Sequence, residues 1–168
     1  VGLIGPNGAG KTTVFNMVAG SMPPTSGTIR FRGNDITSLA AHDRALLGIA
    51  RTFQITSVFP ALTTRENVRT ATYRNFQTGW GGALIRSAGW RQDEAAIDRL
   101  ADEALAFCEL SQQADVRAAA LSYGEQRRLE LAIALAAQPV LLLLDEPAAG
   151  LNPEEGQKLV AMIKQVRD

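Results

Sequence analysis

Cysteine and histidine each occur only once in this chain of 168 residues. The single cysteine, Cys108, excludes an internal disulfide and fits a protein of a reducing compartment. Cys108 falls on the apolar face of a predicted helix, so we predict that it is a small core residue. The histidine, His42, stands in a polar stretch without a partner pattern and is predicted to lie on the surface.

An excess of charge and long apolar runs are also missing. Lys and Arg together number 17, as do Asp and Glu, so the chain has no net positive charge that would attract nucleic acid or anionic lipid. The apolar runs at residues 131–137 and 140–144 are too short to span a bilayer. No signal peptide is visible, and we predict no membrane anchor. The chain lacks an initiator methionine, so we expect a fragment of a longer protein.

What is present is the composition of an ordinary globular protein, with 46% hydrophobic and 20% charged residues. A chain of this length suits one domain and can bury roughly 70% of its unfolded surface.

The sequence GPNGAGKTT at residues 5–13 matches the phosphate-loop pattern G-x-x-x-x-G-K-S/T at every fixed position. The apolar residues 1–4 predict the end of a buried strand. Residues 12–19 predict a helix with Val14, Phe15 and Val18 on one face. A chance match in a chain this long is expected less than roughly once in a hundred. The loop therefore predicts binding of a nucleoside triphosphate.

Each part of this loop has a chemical role. Gly8 and Gly10 let the backbone approach a phosphate, at which successive N–H groups then point. The helix N-terminus adds partial positive charge, Lys11 adds a full charge, and the Thr12 hydroxyl is a candidate magnesium ligand.

The remaining pattern predicts strands at residues 28–32 and 49–54 and helices at residues 38–47, 64–73 and 92–110. Residues 76–91 contain several glycines with Trp80 and Trp90, and we interpret them as an inserted loop. Tryptophan suits a lipid headgroup region or a partner surface, and a self-packed loop is an equal alternative.

Ser122 and Glu125 form a capping-box pattern at the start of a helix predicted to run to about residue 137. A capped helix start with Gly124 in its first turn is an anion site, although a purely structural cap has the same pattern.

Five apolar residues at 140–144 predict a strand covered on both faces, as in a parallel sheet. Asp145 and Glu146 follow at its carboxyl end, where open α/β sheets bind their ligands. In a phosphate-loop protein, Asp145 is the expected magnesium partner. Glu146 is the expected base that takes a proton from a water beyond the γ-phosphate, a role worth about 10²–10⁴ in rate. The alternative is a solvated strand exit.

Asn152, Pro153 and two following acids predict the start of another helix. Along that helix, Leu159, Ile163 and Val166 are predicted to face inward.

In chain order, these motifs resemble those of ATP-binding cassette (ABC) ATPases: the loop at residues 5–13, Gln54 at a strand end, the segment LSYGEQ at 121–126, Asp145 with Glu146, and the loop at 149–152. Within that family, residues 51–54, 121–130 and 145–153 are most similar to the ATP-binding subunits of bacterial branched-chain amino-acid transporters.

The resemblance implies an α/β fold with a P-loop NTPase core, a mostly parallel sheet and an inserted α-helical subdomain. The RecA-like core is expected at residues 1–63 and 138–168. The helical subdomain, with the insert at 76–91, is expected at residues 64–137.

The resemblance also implies a head-to-tail pair, as a homodimer or with a homologous ATPase subunit. In that pair, each ATP lies between one phosphate loop and the signature helix of the other subunit. Gln54 is implied to touch magnesium and the attacking water and to link the site to a transmembrane permease. The predicted site residues are, for ATP, Asn7, Gly8, Ala9, Gly10, Lys11, Thr12 and Thr13, with Ser122, Gly124 and Glu125 in trans; for magnesium, Thr12, Gln54 and Asp145; and for catalysis, Glu146, Gln54 and Lys11.

The function that the resemblance implies is ATP hydrolysis driving import of branched-chain amino acids. The subunit would be peripheral at the cytoplasmic face of the inner membrane and would bind no nucleic acid. Export of lipid or lipopolysaccharide, or a soluble non-transport role, stays open as an alternative. The chain departs from the most general signature at Tyr123, Glu125 and Asn152. The adenine-stacking aromatic and the switch histidine are expected before residue 1 and after residue 168.

Overall fold

A computed structural model describes residues 2–6, 8–52, 58–73 and 88–167. The chain forms two compact units, Val1–Arg51 with Pro139–Asp145 and Thr52–Gln138 with Glu146–Asp168. The boundaries expected for a RecA-like core and a helical subdomain stay a prediction.

In the part of the first unit that the structure describes, there are two helices and two pairs of strands. Strands β3 and β4 pair in parallel, with Ile49 opposite Leu141 and Arg51 opposite Leu143. This pairing has the parallel character expected from the apolar run at residues 140–144. The elements are α1 (Lys11–Ala19), the antiparallel pair β1 (Arg30–Phe31) and β2 (Asn34–Asp35), α2 (Ala41–Leu46), β3 (Ile49–Arg51) and β4 (Leu141–Leu143).

The core of the first unit is built around three buried residues, Ile36, Ile49 and Leu143. Phe15 and Val18 of α1 pack against this cluster, as their spacing predicts. The prediction that Val14 shares their face is wrong, since Val14 is 41% exposed. The inward stripe of α1 instead continues to Ala19, one turn after Phe15.

Arg44 of α2 is a buried cation that joins three segments of the first unit. Its guanidinium donates to the carbonyl oxygens of Met17 (2.5 Å) and Val18 (3.1 Å) at the end of α1. It also donates to the carbonyl oxygens of Thr37 and Leu39, each at 2.9 Å. A cation at a helix C-terminus complements the negative end of the helix dipole, so Arg44 stabilises α1 from its carboxyl end.

The predicted strand at residues 1–4 is wrong for residues 2–4, which have no regular secondary structure. Ile4 is 96% exposed, and within the described chain residues 2–4 pair with neither β3 nor β4. Apolar residues form a strand only where a neighbouring strand supplies ladder hydrogen bonds. The strands predicted at 28–32 and 49–54 are correctly placed but shorter within the described residues.

Within its described residues, the second unit contains four helices of nine residues or more, and two of them begin with a capping box. At α3, the Thr63 side chain accepts from the Glu66 backbone N–H while the Glu66 carboxylate accepts from the Thr63 N–H. The same reciprocal pair of bonds starts α5, as the Ser122–Glu125 pattern predicts. The helices are α3 (Thr64–Thr72), α4 (Ala88–Phe107), α5 (Tyr123–Ala136) and α6 (Pro153–Arg167).

Apolar residues at helical spacing fill the interior of α4, where Ile97, Ala101 and Ala104 are buried as predicted. Cys108, just beyond the helix, is also buried, which confirms the expected core position. The helix begins at Ala88 rather than at residue 92, so the last four residues of the predicted inserted loop are helical. The hydrophobic spacing could not place this start, because the glycines in the insert indicate a loop.

Helix α6 begins after Asn152 with Pro153 as its first residue, as the sequence predicts. Leu159 is buried, but Val166 is 39% exposed, so its predicted inward orientation is wrong. Met162 is buried and completes the inward stripe three residues after Leu159. Within the described ranges, no helix is both long and apolar enough to cross a membrane.

Candidate functional site

The phosphate loop has the backbone geometry that close approach to an anion requires. Gly8 and Gly10 have φ values of 82° and 83°, in the left-handed region that favours glycine. Apart from each glycine and its neighbours along the chain, no described atom lies within 4 Å of a Cβ built on either residue. Gly10 is also the N-cap of α1, and it has no side chain to cap the first turn. The amino end of α1 is therefore left for a ligand to cap.

Lys11 holds its ammonium group against the same loop. Its Nζ donates to the carbonyl oxygens of Gly5 at 2.7 Å and Pro6 at 2.9 Å. Both acceptors are neutral, and a phosphate oxygen is a stronger acceptor for an ammonium donor. The uncapped helix, the two glycines and the lysine thus form a cradle whose chemistry fits a phosphate group.

Asp145 lies just after β4 at the carboxyl end of the parallel pair, where its sequence position predicts a ligand site. It is only 6% exposed, and its Oδ2 lies 3.3 Å from Nη2 of Arg51. Arg51 also donates through Nη1 to the Asn16 side chain of α1. The structure thus brings the phosphate-loop helix, Arg51 and Asp145 together within the first unit.

The donor set fits magnesium rather than a metal enclosed by protein ligands. Within the described residues, no group of three or more His, Cys, Asp or Glu side chains converges on one point. Magnesium is commonly held by one or two protein oxygens together with waters and substrate phosphates. The Thr12 hydroxyl in the first turn of α1 and the Asp145 carboxylate are oxygen donors of that kind.

Glu146 belongs to the second unit, although it follows Asp145 directly. Its φ is 47°, an uncommon conformation for a non-glycine residue, and its side chain is exposed. Its carbonyl oxygen accepts from the Ala149 N–H at 3.0 Å, which closes the turn after the strand. Its role as a base stays a prediction.

The second anion site that the sequence predicts is the start of α5. The Ser122 Oγ accepts from the Glu125 N–H at 3.3 Å, and Glu125 Oε2 accepts from the Ser122 N–H at 2.8 Å. Both side chains are thus engaged in capping their own helix. Gly124, in the first turn, has no side chain and is buried.

Glu155 of α6 lies directly against Gly124. A Cβ built on Gly124 would be 2.3 Å from Glu155 Oε1 and 2.6 Å from Cδ. The Glu155 N–H donates to Asn152 Oδ1 at 2.9 Å, and its carboxylate accepts from the Asn152 N–H at 3.4 Å. The starts of α5 and α6 are therefore adjacent, and the Glu155 carboxylate occupies the space beside Gly124.

Tyr123 has a role that the sequence did not reveal. Its hydroxyl donates to the Ala149 carbonyl oxygen at 3.2 Å and accepts from the Arg127 guanidinium, with Nη2 at 2.6 Å. Its ring lies against Gly150, where an added Cβ would be 3.1 Å from Cε1. Tyr123 thus fastens the loop at 149–152 to the start of α5. The four-residue spacing of Tyr123 and Arg127 on one helix face was the only available signal.

Two predicted site residues, Asn7 and Gln54, lie outside the described residues, as does Trp80 of the predicted insert. The structure places Gly8, Ala9, Gly10, Lys11, Thr12, Thr13 and Asp145 in the first unit, and Ser122, Gly124, Glu125 and Glu146 in the second.

Comparison with known proteins identifies the relatives of this arrangement. The ABC transporter family matches over residues 1–149. The chain is 42% identical over 167 residues to the high-affinity branched-chain amino acid transport ATP-binding protein BraF of Pseudomonas aeruginosa, covering 99% of this chain and 66% of BraF. It is 43% identical over 169 residues to LivG of Escherichia coli K12, which carries the same description, covering 100% of this chain and 66% of LivG. The chain thus spans 66% of the length of these curated relatives.

Solved structures of ATP-binding cassettes are also similar to this chain, at 26% sequence identity. The dimeric post-hydrolysis state of the ATP-binding cassette MJ0796, bound to ADP and Pi, superposes with a TM-score of 0.77 over 97% of this chain and 67% of that one. MJ1267, an ATP-binding cassette of an ABC transporter, gives a TM-score of 0.78 over 97% of this chain and 64% of its own.

Proposed function

This chain belongs to the ABC transporter family, and on that premise we propose that its protein hydrolyses ATP to drive import of branched-chain amino acids through a membrane permease. The observation that carries the nucleotide part is the cradle of Gly8, Gly10 and Lys11 at the uncapped start of α1, with the buried Asp145 in the same unit. The substrate part is supported by BraF and LivG, whose descriptions name branched-chain amino acid transport.

In this proposal, the first unit binds the phosphates of MgATP. The N–H groups of the loop and of the first turn of α1 donate to phosphate oxygens. Lys11 Nζ gives up its hydrogen bonds to the carbonyl oxygens of Gly5 and Pro6 and donates to charged phosphate oxygens instead. Thr12 and Asp145 hold magnesium, with Gln54 as a third ligand. Magnesium would neutralise charge that develops on the phosphate oxygens.

Glu146 accepts the proton of the attacking water, and Gln54 orients that water. A carboxylate in this role contributes about 10²–10⁴ in rate. Since the Glu146 side chain is exposed, a second chain or the nucleotide can approach it without displacing core residues.

The start of α5 completes the site from a second copy or a homologous subunit. Ser122, Gly124 and Glu125 present a helix N-terminus that favours negative charge, and the γ-phosphate of the opposite ATP supplies it. The dimeric form of MJ0796 supports pairing of such cassettes. The pair sits at the cytoplasmic face of the inner membrane through its permease and binds no nucleic acid.

The test uses the full-length protein and measures ATP affinity with and without magnesium. Lys11→Ala should lose most of the magnesium-dependent affinity, because the phosphates lose their only full charge from the loop. Glu146→Gln should keep the affinity, trap an ATP-bound dimer and lower turnover by about 10²-fold or more. Glu154→Gln, in the exposed first turn of α6, is the matched control and should turn over ATP normally.

Full magnesium-dependent affinity in Lys11→Ala would refute the phosphate site, and normal turnover in Glu146→Gln would remove Glu146 as the base. The substrate is tested with the co-purified permease in vesicles. Leucine, isoleucine or valine uptake should depend on ATP, and uptake of an unrelated cargo instead would refute that part alone.

A further inference from the structure

The carboxylate of Asp145 is buried next to a buried arginine. The Asp145 side chain is 3% exposed and that of Arg51 is 9% exposed, with 3.3 Å between Oδ2 and Nη2. A charged group at this depth is costly unless an opposite charge accompanies it. Arg51 supplies that charge within the unit that holds the phosphate loop.

Arg51 contacts a second element that matters for nucleotide binding. Through Nη1 it donates to the side chain of Asn16, which lies on α1 five residues after Lys11. The parallel register sets Arg51 opposite Leu143, two residues before Asp145, so the side chain extends toward the end of β4. One guanidinium therefore connects the helix of the phosphate loop to the carboxylate.

The contact with Asp145 is longer than a strong charge-assisted hydrogen bond. Such bonds span about 2.7–2.9 Å between nitrogen and oxygen, whereas Nη2 and Oδ2 are 3.3 Å apart. A divalent cation that reaches the same carboxylate carries twice the charge of a guanidinium. Magnesium can then take over the carboxylate without Arg51 leaving its bond to Asn16.

We propose that Arg51 is a positioning residue that serves as the internal cation of Asp145 when magnesium is absent and ties that carboxylate to the phosphate-loop helix. This inference rests on the proposed function, because it takes Asp145 to be the magnesium ligand. The consequence is that the ligand-free site stays folded without a metal, and magnesium adds little stability until ATP arrives.

The test measures thermal unfolding of the full-length protein by circular dichroism, in EDTA and across a magnesium titration without nucleotide. Arg51→Met keeps much of the side-chain volume but leaves Asp145 unpaired. Its midpoint should fall by about 10 °C in EDTA, the shift that an unpaired buried charge causes in a domain of this size. Magnesium alone should then recover most of that loss, whereas the wild-type midpoint should move by no more than about 2 °C.

Two further variants separate positioning from a merely structural role. Arg51→Lys keeps the charge but lacks the planar fork that reaches Asp145 and Asn16 from two separate nitrogens, so its magnesium response should lie between those of wild type and Arg51→Met. The double variant Arg51→Met/Asp145→Asn has no buried charge to compensate and should not respond to magnesium. Arg30→Met, which alters an exposed arginine of the same unit, is the control and should behave as wild type.

Equal magnesium responses in wild type, Arg51→Lys and Arg51→Met would overturn the role of Arg51, even if all variants were destabilised. If Arg51→Met does not fold in EDTA, folding on addition of magnesium supports the proposal. If it folds in neither condition, the graded response of Arg51→Lys decides. A wild-type protein without magnesium-dependent ATP affinity would instead remove the proposed function, and the two failures are thereby distinguished.

Discussion

Gly124→Ala should weaken the pairing of two subunits while leaving the stability of the second unit nearly unchanged. The new Cβ would meet Glu155 at 2.3 Å from Oε1 and 2.6 Å from Cδ. Because these atoms are the far end of a side chain, the carboxylate can move away. It then loses its 3.4 Å bond from the Asn152 N–H, while the 2.9 Å bond from the Glu155 N–H to Asn152 Oδ1 remains.

The two energetic effects of this substitution nearly cancel. Weakening one part of a helix cap costs about 0.5–1 kcal/mol. Replacing glycine by alanine inside a helix stabilises it by about 0.8–1 kcal/mol. The free energy of unfolding should therefore change by less than about 0.5 kcal/mol, as measured by urea denaturation.

Pairing should respond much more strongly than stability. In the proposed function, N–H groups in the first turn of α5 donate to the γ-phosphate of the opposite subunit. Because the methyl group at Gly124 points at Glu155 of its own chain, the carboxylate or the first turn must shift, and that shift disturbs one of these hydrogen bonds. Losing one hydrogen bond to a charged group costs about 1.5–3 kcal/mol, which is roughly 10- to 100-fold in affinity. A homodimer loses this contact at both of its ATP sites, so ATP-dependent dimerisation, measured by sedimentation in the Glu146→Gln background, should weaken by at least that factor.

The matched control is Gly156→Ala in α6, where the added Cβ would find its nearest neighbour, Ala148 Cβ, at 3.8 Å. This variant should gain about 0.5–1 kcal/mol and pair normally. Unchanged pairing in Gly124→Ala would refute the contact assigned to Gly124. A stability loss above about 2 kcal/mol would show that the Glu155 carboxylate cannot move.

Three other expectations concern single residues. Tyr123→Phe removes the hydroxyl that bonds Ala149 and Arg127 and should lower the free energy of unfolding by about 1–2 kcal/mol in urea denaturation. Gly48→Ala should lower it by about 2–4 kcal/mol in the same assay. Its φ is 93°, and the added Cβ would be 2.7 Å from Val140 Cγ2. Burial raises the pKa of the Cys108 thiol from 9.0 to about 12, so iodoacetamide at pH 8 should label it only after unfolding. The unfolded thiol ionises first, so stability should fall as the pH rises from 9 toward 12, which pH-dependent urea denaturation can check.

Sequence reasoning succeeded where the signal is local. The helix that follows the phosphate-loop motif and the starts of α5 and α6 agree with the prediction, because caps and glycine positions depend on a few neighbouring residues. The predicted α/β class, with a P-loop NTPase core and the ABC ATPase fold, is confirmed by the family match and the similar structures.

Predictions from the sequence fail where a residue distant along the chain decides whether a side chain is buried or which partner it contacts. Val14 and Val166 have helical spacing that fits an inward face, but the orientation of each helix on its core leaves them exposed. The contact of Arg51 with Asp145 spans 94 positions along the chain, and no local pattern encodes it. The same holds for the contact of Tyr123 with the loop at 149–152, which depends on tertiary packing.

The guanidinium of Arg44 explains how α1 can remain without a cap at its amino end. Leaving the first turn of a helix open weakens it, yet here the last turn is held by bonds to Met17 and Val18 from within the protein. The phosphate loop thus precedes a helix whose carboxyl end is held in place while its amino end stays open to a ligand. In the proposed function, substitution of Arg44 should therefore weaken phosphate binding at the amino end of α1, although Arg44 itself does not contact the nucleotide.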